Sequence, residues 1–187
     1  MSTLNVKNLQ GISPSNRVTI PAGQTLYAPG HVLQVVQTVK TDVWSASPSA
    51  TTYAVVTGLS VNITPSSTTS KIFVMLNMWI GQQGYLFKGL VKRNGSIIAQ
   101  GDAYGSRPRS SFAGGPYAGG TNEAYSMSQV AFNYLDSPIS TGLCTYTVEA
   151  ANYTTNTIYV NRSHNWQNST DYDGVPVSTI TAMEIAA

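Results

Sequence analysis

Residues 71–80, KIFVMLNMWI, constrain the fold more than any other stretch of the chain. Successive side chains of a strand point to opposite faces. Ile72, Val74, Leu76, Met78 and Ile80 therefore share one face, and Lys71, Phe73, Met75, Asn77 and Trp79 share the other. In a two-layer β protein one face packs on the opposite sheet and the other meets water. Here the second face is apolar too, at Phe73, Met75 and Trp79. Burial stabilises by roughly 25 cal/mol per Å² of apolar surface, and an uncovered patch invites association. A second subunit is the expected cover, with Phe73, Met75 and Trp79 as the oligomer interface. An N-terminal arm folded back, or a core on both sides of the strand, would serve the same end.

The rest of the chain is also written in strands. Nowhere do helix formers hold a 3.6-residue spacing for three turns. Beta-branched and aromatic runs stand between Gly, Pro, Asn and Ser clusters instead. Strands are expected at 31–44, 53–64, 71–80, 85–93, 125–136, 143–151, 157–163 and 178–186. In 53–64 the pattern puts Val55, Leu59, Val61 and Ile63 on one face. Asn94-Gly95 predicts a tight hairpin, because a type I′ turn needs positive φ at both central residues. The segments 143–151 and 157–163 should pair across NYTTN. About eight or nine strands with turns point to an all-β, two-layer antiparallel sandwich of the jelly-roll kind. Residues 1–15 read as an anchoring arm, with Leu4, Val6 and Leu9 as its apolar contacts, and 16–187 as one domain.

Composition narrows the function classes. Of 187 residues only 10% are charged, and the net charge is +2. That balance does not ask for a nucleic-acid partner. Seven of the ten basic residues lie between Lys40 and Arg109, with RPRSS at 107–111 the densest turn. One cysteine, Cys144, excludes an intrachain disulfide and reads as a buried, inert thiol. No signal-peptide shape opens the chain, and no window nears the ~20 apolar residues of a membrane span, so assembly in a cytoplasm without membrane insertion is expected.

No phosphate loop, dinucleotide fingerprint, zinc helix or nucleophile elbow is present. His31, His164 and Cys144 are too far apart in sequence to suggest a metal set, and Asp171 with Asp173 is only a fragment of a calcium loop. No cofactor and no enzymatic activity are expected. Recognition remains. HNWQNSTDY, 164–172, offers Trp166 with Asn165, Gln167 and Tyr172, an aromatic plate beside amides of the kind that grips sugars. Tyr117, from the long glycine-rich loop 104–120, could complete it.

The opening MSTLNVKNLQG, the segment RVTIPAGQTLYAPGHVLQVVQT and the ending VSTITAMEIAA resemble small virion proteins of tailed bacteriophages, particularly marine ones. The resemblance covers both termini and the first third; the middle matches nothing in that family. It implies a jelly-roll subunit similar in shape to tumour-necrosis-factor domains, often a trimer. It also implies a place in the virion among other capsid or tail proteins. The role implied is structural, with attachment to a host surface glycan through loops 104–120 and 164–174 as the alternative.

Overall fold

The computed structural model describes residues 11, 19–22, 28–49, 51–82, 86–115, 125–153, 156–168 and 174–187. Leu4, Val6 and Leu9 of the expected arm fall outside them. The described residues form β1 (Val32–Lys40), β2 (Trp44–Ala46), β3 (Ala54–Ile63), β4 (Lys71–Gln82), β5 (Phe87–Arg93) and β6 (Ser96–Ile97). The remaining strands are β7 (Phe112–Gly114), β8 (Ser128–Asp136), β9 (Cys144–Asn152), β10 (Ile158–Val160) and β11 (Ser178–Ile185). No α-helix occurs among the described residues, so the protein is an all-β sandwich.

All pairings are antiparallel, and they resolve into lanes. In the first sheet β8 takes one edge of β4 from Ile72 to Ile80. The other edge is shared end to end by β11, opposite 71–77, and β10, opposite 80–82. β1 pairs with β11 and β2 with β10. The spatial order is therefore β8, β4, β11/β10, β1/β2. In the second sheet the order is β3, β9, β5, then β6 and β7 in line along one edge of β5. The chain alternates between sheets on passing from β2 to β3, β3 to β4, β4 to β5, β7 to β8, β8 to β9 and β9 to β10.

The core lies between the sheets. Ile72, Val74, Leu76, Met78 and Ile80 are all buried and face Leu59, Val61, Val91, Tyr146 and Val148 of the other layer. Each such side chain contributes about 1.5–3 kcal/mol by leaving water. One polar cluster crosses this interior. Asp136 of β8 accepts hydrogen bonds from Arg93 of β5 and from the Tyr146 hydroxyl of β9. Burial, then the bond to Asp136, pushes the Tyr146 phenol far above its usual range. Cys144, beside this cluster, is buried and its thiol is pushed up by burial, which fits an inert group.

Two sequence expectations are corrected. In β3 it is Val56 that enters the core, while Val55 is 53% exposed. Gly58 adopts φ +83°, and the register to β9 shifts between Val55 and Ser60. From Val55 to Ser60 β3 advances five residues while β9 advances two, and this odd excess of three inverts the alternation on the N-terminal side. Nor do β9 and β10 form a hairpin. β9 pairs with β3 and β5, β10 with β2 and β4, so the two strands lie in different sheets. Ile158 and Val160 are fully buried, and β10, only three residues long, pairs on one side with β2 and on the other with β4. The Asn94-Gly95 turn is as expected, with φ of 49° and 83°. The Asn94 side chain also ties the turn to β9, accepting from the Thr145 amide at 2.8 Å.

Candidate functional site

Two lanes are interrupted by excursions, and both carry polar and aromatic groups. The first leaves the β10/β11 lane after Asn161 and returns at Ser178. The second leaves the β6/β7 lane after Ile98 and returns at Ser111. Asn161 sits at φ +62°, fully buried, and its amide donates to the Lys40 and Asp42 carbonyls at 2.9 and 3.0 Å. Its own N–H still bonds the Trp79 carbonyl at 3.0 Å. The Ser178 hydroxyl then accepts from the Trp79 amide at 3.1 Å and donates to Asn161 Oδ1 at 2.6 Å. The strand amide that the departing chain would have left orphaned is thus satisfied by a side chain.

Past this neck the chain presses onto the outer face of the first sheet. A Cβ at Gly81 would lie 2.2 Å from the Arg162 carbonyl oxygen, so only glycine admits the crossing. Tyr159 pairs with Gly81 and points to the same outer face. The Arg162 guanidinium lies over the Tyr159 ring at 4.3 Å and over the Trp166 ring at 4.7 Å. Its N–H groups donate to the Ser163 and His164 carbonyls, both at 3.0 Å, which fixes its plane. Cation–π contacts of this kind are worth about 0.5–2 kcal/mol each. His164 Nδ1 stands 3.3 Å from the Tyr159 hydroxyl. Burial, and then the neighbouring Arg162 charge, hold its imidazole below the usual range, so it is neutral at pH 7.

Of the expected sugar-binding residues, Trp166 is 44% exposed and Asn165 and Gln167 are exposed beside it. Gln167 donates to the Tyr125 hydroxyl at 3.2 Å. Tyr172 and Tyr117 lie outside the described residues, as do Asp171 and Asp173. Arg162 and Tyr159 went unrecognised in the sequence, although an arginine three residues after a strand aromatic and four before Trp166 was the available signal. The arrangement offers an aromatic edge stacked against a cation. Among the described residues no group of three His, Cys, Asp or Glu stands together as a metal site. No described helix is long and apolar enough to cross a membrane.

The expected interface residues share the outer face of β4. Phe73 and Trp79 are half-buried and Met75 is exposed. The first excursion lies beside Trp79. At the opposite end the register aligns Val35, Met183, Phe73 and Leu135 in one row across four strands. Val35 and Leu135 are 56% and 52% exposed. The next rows turn polar, with Gln37 bonded to Thr181 at 2.8 Å and Gln129 to Asn77 at 2.9 Å.

No protein-family model matches this chain, and no curated protein matches its sequence.

Proposed function

We propose that this protein is a homo-oligomeric structural subunit of a bacteriophage virion, a jelly roll that meets copies of itself through the outer face of its β8-β4-β11-β1 sheet. The observation that carries the reading is the row Val35, Met183, Phe73 and Leu135, apolar across four strands and open to solvent at both ends. Two-layer proteins turn this face to water, and a contiguous apolar row there is a docking surface. The jelly-roll assignment is supported by the strand orders β8-β4-β11-β1 and β3-β9-β5-β7, with the chain wound back and forth between them. A trimer, and membership of a capsid or tail appendage with other virion proteins, follow from the resemblance of the termini. The role is mechanical, without catalysis or cofactor. Leu4, Val6 and Leu9 of the N-terminal arm would add a strand to a neighbouring virion protein.

A second reading has its own observation. Trp166, exposed and stiffened by Arg162, is a plate on which a host glycan could stack, with Asn165 and Gln167 beside it. The subunit would then be a receptor-binding tip, and a trimer would multiply a weak site. Mass spectrometry of purified particles of the phage that encodes the chain tests the first reading. The protein should be present in fixed stoichiometry to the major capsid or tail protein. Its absence from washed particles overturns both readings. Its presence, with host adsorption lost on Trp166→Ala, selects the second.

A further inference from the structure

The second excursion builds a different surface. Residues 99–110 hold themselves together: the Gly101 amide bonds the Ser110 carbonyl at 3.2 Å, Arg109 Nε donates to the Gly101 carbonyl at 2.6 Å, and the Arg107 amide bonds the Tyr104 carbonyl at 3.2 Å. The resulting arm stands away from β5 and leaves a groove of about 390 Å³ between itself and the end of the β5–β9 pair. That lies in the range of small-molecule sites, roughly 300–1,000 Å³. Leu86, Lys88 and Tyr153 line it together with Arg107 and Pro108 of the arm.

Two cations mark the chemistry of this groove. Arg107 and Lys88 both line it, and among the described residues no carboxylate does. Arg107 makes no ion pair among the described residues, and its guanidinium lies 4.9 Å from the Tyr104 ring, which orients it without neutralising it. The Lys88 ammonium sits 5.8 Å from the Tyr53 ring centroid, and burial lowers the pKa of the amine. Glu149 of β9 is bound by Lys92 at 2.7 Å. Tyr153 is 61% exposed, Ser106 and Ser110 add hydroxyls, and Leu86 and Pro108 add apolar surface.

We infer that this groove binds an anionic saccharide, one or two sugar units bearing a carboxylate or sulfate. The anion would sit between Arg107 and Lys88 with a ring face against Tyr153. An acidic peptide fits less well. Its carboxylates ride on flexible arms, whereas a sugar presents a rigid apolar face to tyrosine and hydroxyls to serine while its charge is fixed. The site lies on the opposite sheet from the oligomerisation face and from Trp166; it deepens the glycan reading of loop 104–120, and the Trp166 and Leu135 variants test the other surfaces separately.

Calorimetry on the full chain with tetragalacturonate, a sulfated tetrasaccharide, maltotetraose and tetraglutamate tests it. At least one anionic sugar should bind, more weakly as salt rises, and which one binds identifies the anion. Maltotetraose should not bind. Arg107→Ala, on an exposed loop, should weaken binding about tenfold or more without moving the melting temperature, and Arg107→Lys should lose less. Tyr153→Ala should also weaken it, while Trp166→Ala should not. The inference is overturned if neither anionic sugar binds at millimolar concentration, if Arg107→Ala binds as tightly as the native chain, or if tetraglutamate binds as well as the sugars.

Discussion

The excursions at 99–110 and 162–177 start from the same device and end as opposites. In each, a serine at the point of return lends its hydroxyl to an orphaned strand amide and passes its own proton back to the point of departure. Ser111 accepts from Val91 at 3.0 Å and donates to the Ala99 carbonyl at 2.5 Å. Ser178 accepts from Trp79 at 3.1 Å and donates to Asn161 at 2.6 Å. Beyond the neck, Arg162 and Ser163 lie flat on Gly81 with the cation stacked against two rings. Within the 99–110 arm a Cβ at Gly101 would meet no described atom within 4 Å, and a groove lies between the arm and Lys88 of β5. A loop pressed onto its sheet covers that sheet. A loop that stands off makes a groove.

The sharpest way to break this contrast is at the glycines. Gly81→Val forces the Arg162–Ser163 backbone off the sheet and should cost about 3 kcal/mol by urea unfolding, as overpacking of a close contact does. Gly101→Ala should stay within about 0.5 kcal/mol of the native chain. Equal costs at the two sites would mean that both loops are pressed down, or neither. The shared neck predicts a smaller and matched effect. Ser178→Ala and Ser111→Ala each strand one amide and should each cost about 1–3 kcal/mol. Ser178 should lie toward the upper end because it is fully buried and also holds Asn161.

Much of this was legible in the sequence, and the rest was hidden for definable reasons. The all-β class, the inner face of β4 and the Asn94-Gly95 turn follow from alternation and turn chemistry, which are local. Phe112 also proved to be buried, pinning the glycine-rich stretch at β7. Val56 was missed because one bulge at Gly58 inverts the alternation, and a glycine in a strand does not announce which side of it shifts. The β9–β10 crossover was missed because a short turn-like segment looks the same whether it closes a hairpin or bridges two sheets. Arg162, and the pairing of Lys88 with Arg107 across a groove, join residues brought together by lanes that sequence spacing does not encode.

The smallest effect expected is a pH response confined to the pressed loop. The His164 pKa is lowered on folding, so the folded state binds fewer protons there than the unfolded chain. Its contribution is fully present above the unfolded value, about 6.5, and is lost as pH falls through the folded value. Amide exchange at 162–168 should quicken between pH 7 and pH 5 relative to 99–110, and His164→Asn should abolish the difference. The buried Glu184 acts in the same direction at lower pH. Burial opposes its charge, but Ser66, by amide and hydroxyl at 2.7 and 2.6 Å, and Gln34, at 2.6 Å, hold the carboxyl below its usual value. Acid unfolding should therefore set in below the ordinary carboxylate range, after the loop has loosened.

Arg162 and Ser163 of the pressed loop lie at the Trp79 end of the outer face, and a copy of the chain is proposed to cover the other end. Sedimentation equilibrium of the full-length protein at micromolar concentration, beside Leu135→Asp, tests this most directly. Leu135 is exposed, so the substitution spares the core. The native chain should sediment as a homo-oligomer, with three subunits expected, and Leu135→Asp as a folded monomer with an unchanged far-ultraviolet spectrum. A native monomer, or an oligomer that Leu135→Asp leaves intact, would contradict the assignment of this face.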